Sequence, residues 1–140
     1  MANAIYVEFT QSQLEGGTNI SLNVNDATDG PFVALLDTGT YTFSQTHDFY
    51  NDLTGIVGTD QRITVPTVAD GLFDGVDLTY TAVSGASIEA LGFYRHNAGA
   101  NTTWRLVAFE DTGVTGLPLT PNGGNITVTW NASGIIDFNG

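Results

Sequence analysis

Few residues in this 140-residue chain could do chemistry, and they are scattered. Asp70, Asp74 and Asp77 crowd one glycine-containing stretch, DGLFDGVD, and the Asp70-x-x-x-Asp74-Gly75 spacing superficially suggests a calcium loop. The twelve-residue pattern with its terminal glutamate is missing, so these three are weak calcium candidates. The plainer expectation is a pair of turns whose Asp side chains stand in for backbone acceptors. His47 and Asp48, with Asp52 four residues on, suggest metal binding or acid–base work. A zinc or iron site needs at least three converging ligands, and the only other imidazole is His96. His96 ends an apolar run and is expected to point into a loop, leaving His47 to satisfy a backbone or aspartate partner in a turn. With no cysteine, disulfides, thiolate metal sites and thiol nucleophiles are excluded. No nucleophile elbow, phosphate loop or suitably spaced pair of acids stands out. The expectation is a protein without catalytic residues, resident metal or cofactor.

Binding is the other chemistry to consider. Arg62, Arg95 and Arg105 are the only firm cations, set against fifteen acids. Each is expected either to clamp a carboxylate within the chain or to anchor an interface, and the Arg105 stem is expected to lie over the core. Tyr41, Phe43, Phe49 and Tyr50 cluster in the least periodic segment. Exposed, they would form a carbohydrate-stacking or protein-docking surface; buried, they would plug one end of the fold, and burial is expected for two of the four. The interface candidates are therefore Arg62, Arg95, Arg105, Tyr41, Phe43 and Tyr50.

The elements that must position these residues are mostly strands. Residues 72–110 hold three apolar or alternating runs expected to be the middle strands of an antiparallel sheet. Val76 to Val83 places Leu78, Tyr80 and Ala82 on one face. Ser87 to Arg95 is apolar on both faces and reads as a central strand covered twice. Trp104 to Glu110 sets Trp104, Leu106 and Ala108 against Arg105, Val107 and Phe109. Further strands are expected over Asn19–Asn25 (an edge), Pro31–Asp37, Gln61–Val65 with Ile63 and Val65 inward, Ile126–Trp130 and Ile135–Phe138. Gly55–Asp60 and Asp111–Gly124 read as loops, and Asp70-Gly71 and Asp74-Gly75 as tight turns. A short helix is expected within residues 2–16, stopped by Gly16-Gly17, although Ile5, Val7 and Phe9 also alternate as a strand would. A helical turn capped by Ser44 or Thr46 would present Phe49, Tyr50 and Leu53, with Asp48 and Asp52 early in it. Seven to nine strands with short connections predict one all-β domain over residues 1–140, an antiparallel β-sandwich or jelly-roll-like fold with one or two short helical segments.

Composition narrows the partners. The net charge of −12 repels nucleic acid, so direct DNA or RNA binding is not expected. No apolar run is long enough to span a membrane, and no charged segment precedes an apolar one at the start. Charged residues make up only 13% of the chain, so the surface must be mainly Thr, Ser, Asn and Gln. A surface without lysine costs less to desolvate and suits a protein packed against others. Triplets such as Asn101-Thr102-Thr103 and Asn125-Ile126-Thr127 read as turn and strand composition rather than glycosylation sites.

Three blocks point further: Phe32–Thr38 followed by Tyr41–Phe49, Thr79–Gly85, and Gly116–Trp130. In this order they resemble a family of small virion structural proteins of tailed bacteriophages, across most of residues 30–138. The resemblance implies a non-enzymatic assembly component, made in the host cytoplasm and resident in the virion. Foremost it implies a capsid decoration (cement) protein on the outside of the head shell. Its partners would be the major capsid protein or other virion proteins, and it would be a homo-oligomer. Alternatives are a tail, connector or fibre-associated structural protein, and a carbohydrate-binding module.

Overall fold

The computed structural model describes residues 3–139. Ten short strands run in chain order: β1 (Ala4–Ile5), β2 (Gly30–Leu36), β3 (Ile56–Arg62), β4 (Thr67–Ala69), β5 (Leu72–Asp74), β6 (Leu78–Tyr80), β7 (Ala90–His96), β8 (Arg105–Glu110), β9 (Ile126–Val128) and β10 (Ile136–Asp137). One helix, α1 (Val7–Leu14), follows β1, and 3-10 turns occupy Tyr50–Asp52 and Asn101–Thr103. The strands form a five-stranded sheet in the order β1-β8-β7-β2-β3, a three-stranded sheet β10-β5-β4 and a two-stranded sheet β6-β9. All pairings are antiparallel, and the chain is all-β.

The five-stranded sheet is covered on both sides, which is why β2 and β7 are apolar on both faces. On the inner side Val33, Leu35, Leu91 and Phe93 meet Leu78 and Tyr80 of β6, Ile126 and Val128 of β9, and Phe73 and Ile136 of the three-stranded sheet. On the outer side Ala34, Leu36, Ala90, Tyr94 and Leu106 lie with Tyr6, Tyr41 and Leu53. Burying each large apolar side chain of this set contributes about 1.5–3 kcal/mol. The Tyr80 hydroxyl crosses the inner core and donates to the Val33 carbonyl at 2.8 Å, satisfying the one polar atom that so buried a tyrosine brings with it.

Several expectations need correction. Only two of the three runs in residues 72–110 are middle strands of the main sheet; β6 pairs with β9 in a sheet of its own. Ala82 takes a left-handed backbone (φ 50°), which ends that run early, so Ala82 is exposed and Val83 is buried in its place. In β8 the alternation breaks at Val107. Phe93 faces Ala108 while Tyr94 faces Leu106, so Val107 is an extra residue. This bulge puts Leu106 with Phe109 on the outer side and Val107 with Ala108 on the inner. Residues 56–62, mostly expected to be loop, are strand β3, and the chain leaves the sheet after Arg62. Val65, expected inward, is 59% exposed with φ 49°, while Ile63 is buried. The expected edge strand at residues 19–25 does not form, although Leu22 is buried as its pattern required.

Near the start, within residues 2–16, the expected helix forms as α1, preceded by the two-residue β1 and followed by Gly16 (φ 69°); of the alternating Ile5, Val7 and Phe9 only Ile5 is in a strand. Ala2, the first residue of that stretch, lies outside the described residues. The expected turn at Asp70-Gly71 joins β4 to β5, and both residues have positive φ, 52° and 77°. That is the mirror-image two-residue turn whose twist matches antiparallel strands, and Asp-Gly is a favoured pair for it.

Candidate functional site

A groove of about 720 Å³ lies between α1, the segment at residues 20–23, the β4–β5 hairpin tip and Phe138. Its floor is Phe9 and Leu22, both buried. Leu14, Val68 and Phe138 line it while remaining 81%, 48% and 37% exposed. No lining residue is charged. Phe9 and Leu14 reach it from α1, whose other face is polar.

The wall at residues 20–23 has no strand to hold it, and side chains take over that task. Buried Arg95 donates from Nε to the Ser21 carbonyl at 2.6 Å and from a terminal nitrogen to the carbonyl of His96. Burial lowers the Arg95 pKa, and the nearby Asp29 carboxylate works in the opposite direction. Gln13 Nε2 donates to the Ile20 carbonyl at 3.2 Å, linking this wall to the helix. Further along, Asn25 Oδ1 accepts from Arg62 at 2.9 Å and from the Val65 N–H at 3.2 Å. The alternating Ile20, Leu22 and Val24 gave the strand expectation, but the backbone there is tied by side chains rather than by a ladder.

A second concentration of side chains lies on the outer side of the main sheet. Trp104 stacks on Tyr94 (centroids 5.9 Å apart, planes 10° apart) and packs on His96 at 4.1 Å and Tyr50 at 5.1 Å. Phe32 packs on His96 at 4.8 Å, so His96 belongs to an aromatic cluster rather than to a loop. Asp60 of β3 sits beneath, accepting from the Tyr50 and Tyr94 hydroxyls at 2.9 Å each. Burial raises the Asp60 pKa, opposed by those two hydrogen bonds. Burial first, then the Asp60 charge, pushes the Tyr50 and Tyr94 hydroxyls above their ordinary range. Tyr50 and Trp104 are half-buried, so each ring spends most of its surface on neighbours.

The remaining candidates are dispersed. Tyr41 is buried, its hydroxyl joining Tyr6 at 2.7 Å and His47 Nδ1 at 2.8 Å, so the partner of His47 is a tyrosine rather than a backbone group or aspartate. Phe43 is half-buried against Tyr6 and Phe109. Asp52 accepts from the N–H groups of Asp48 and Phe49 at 2.9 and 3.4 Å. Burial works against its ionisation, but these hydrogen bonds prevail and its pKa is lowered. It thus closes the 3-10 turn that begins after Phe49, whereas Ser44 accepts from Thr46 and caps no helix. Arg105 lies 4.2 Å over the Phe49 ring. Among the described residues the direct partners of the three arginines are carbonyls, an amide or a ring rather than carboxylates.

The three turn aspartates are used separately. Asp70 is in the exposed hairpin turn, Asp74 accepts from the Gly75 N–H, and Asp77 accepts from the Trp130 N–H at 2.9 Å. Among the described residues no three His, Asp or Glu side chains gather as a metal ion would require. Glu110, at the end of β8, lines a hollow of about 290 Å³ with β1 and β10, and burial raises its pKa to about 7.

Sequence reasoning did not find the groove, because its lining comes from four separated segments. The one available signal was Leu14, apolar at the very end of α1 beyond the buried turn. Asp60 gave no signal either, since its strand read as loop. No protein-family model matches the chain, and no curated protein matches it significantly in sequence.

Proposed function

We propose that this chain is a non-enzymatic structural protein of a tailed-bacteriophage virion, acting as a capsid decoration protein on the outside of the head shell. The observation that supports this reading most is the uncharged apolar groove of about 720 Å³, edged by exposed Leu14, Val68 and Phe138, on a chain of net charge −12. Exposed apolar side chains gathered at one concavity mark a surface made to be covered by another protein. The resemblance of residues 32–49, 79–85 and 116–130 to small virion proteins names the setting, and outward placement keeps the negative charge away from the genome. Many weak copies on a symmetric shell would sum their binding through multivalency.

A tail or connector role is the second reading. It is favoured by β4, an exposed strand at the edge of its sheet, which offers unpaired backbone groups to a neighbouring copy in a ring. Glycan binding is the third, and it would use the Tyr50–Trp104 cluster. Cryo-electron microscopy of the native particle tests all three. Density for this chain spread over the shell in proportion to the capsid subunits is the expected result. A single ring, or a few copies at one vertex, would overturn decoration in favour of the tail reading.

A further inference from the structure

We infer that the groove beneath Leu14 and Phe138 receives an apolar segment of a different protein, and that this segment carries lysine or arginine on either side of its apolar anchors. The inference rests on the assembly reading above and adds the chemistry of the partner.

The apolar half of the argument is the lining. Phe9 and Leu22 form a dry floor, while Leu14, Val68 and Phe138 leave apolar surface in solvent around it. No charged group lies inside to be desolvated, so an aliphatic or aromatic side chain entering the groove leaves no buried ion unpaired.

The charged half is the rim. Two lining residues stand directly beside an exposed acid, Leu14 beside Glu15 and Gly71 beside Asp70, while Asp137, next to Phe138, lines the separate hollow with Glu110. None of the three arginines lines the groove, and two of them are committed nearby: Arg95 to Ser21 and His96, Arg62 to Asn25. An uncharged floor with one acid at the end of α1 and another at the hairpin tip, on a chain of net charge −12, is complementary to apolar anchors flanked by cations.

The same charges select against a second copy as the occupant. Two chains meeting at this face would bring together Glu15 and Asp70 of each, on molecules of net charge −12, with no lysine on either to relieve them.

Two synthetic peptides of equal length test this on the full chain, both with the same Leu and Phe anchors. One has lysines flanking the anchors, the other glutamates. Backbone NMR of the labelled protein should show the lysine peptide shifting amides of α1, residues 20–23, the hairpin tip and Phe138, with the glutamate peptide shifting none. Raising the salt from about 50 to about 300 mM should weaken lysine-peptide binding about tenfold. Leu14→Ser, a change at an exposed helix end that leaves the core intact, should weaken it about fivefold. Equal binding of both peptides, or shifts confined to other surfaces, would overturn the inference. So would a dimer of the free chain that Leu14→Ser dissolves, since the occupant would then be a second copy. The particle micrographs separate this from the broader reading: a chain absent from the virion that still binds the lysine peptide here removes only the virion assignment. Shell density contacting the capsid away from the groove removes only this inference.

Discussion

Replacing Glu110 with glutamine should stabilise the protein, and by an amount that depends on pH. Glu110 faces the hollow between β1, β8 and β10, with Asp137 the other acid lining it and no cation among the lining residues. Burial raises its pKa from 4.5 to about 7. The folded chain therefore holds the Glu110 proton more tightly than the unfolded chain does. Between pH 4.5 and about 7 the folded state binds more protons, so stability falls as pH rises through that window. A gap of about 2.5 pH units corresponds to about 3.4 kcal/mol at about 1.36 kcal/mol per unit. Part of this carboxylate remains in contact with solvent, which screens the penalty, so about 2 kcal/mol is expected. Glutamine has the shape of the protonated acid and never ionises. Urea denaturation at a series of pH values, run in parallel on both proteins, isolates this one group from the other carboxylates. The two should be about equally stable near pH 4, with the variant ahead by about 2 kcal/mol near pH 8. A difference that stays flat across that range would refute the argument, because a packing effect does not titrate.

Arg95→Met should cost about 2–3 kcal/mol by leaving the Ser21 and His96 carbonyls without their donor, and hydrogen exchange should quicken first at residues 20–25. Tyr80→Phe removes only the hydroxyl that reaches Val33, and should lower the free energy of unfolding by about 1–2 kcal/mol with unchanged far-ultraviolet dichroism. Gly30→Ala should destabilise by about 2 kcal/mol or more in the same denaturation assay. Its φ of 125° is strained for any side chain, and a Cβ there would lie 2.6 Å from the Val24 carbonyl oxygen.

What could be read from sequence was what local pattern alone decides. The segments β7 and β8 were legible because burial on both faces leaves a run that is almost wholly apolar, and the Asp70-Gly71 turn because its backbone demands residues of that kind. The bulge at Val107 was not legible: nothing in RLVAFE marks where a partner strand will skip a residue. Strand β3 was hidden for a related reason. Thr59 and Asp60 look polar enough for a loop, yet Asp60 lies under Tyr50 and Tyr94, ten and thirty-four residues away. Residues 19–25 misled in the other direction, since alternation reports which side chains face inward and says nothing about where the backbone hydrogen bonds go. The groove, assembled from four segments, was beyond the reach of any local pattern.

That last feature has a bearing on biosynthesis. The groove draws Ile5 from the beginning of the chain and Phe138 from close to its end, and β1 beneath it pairs Ala4 with Phe109. A ribosome adding about 5–20 residues per second needs about 5–20 s to travel from the first of those partners to the second, and longer to reach Phe138. Throughout that interval β1 has no partner strand, and Phe138 is missing from the groove's lining until later still. The groove is therefore completed last, and a chain interrupted before the final strand lacks the Phe138 side of its lining.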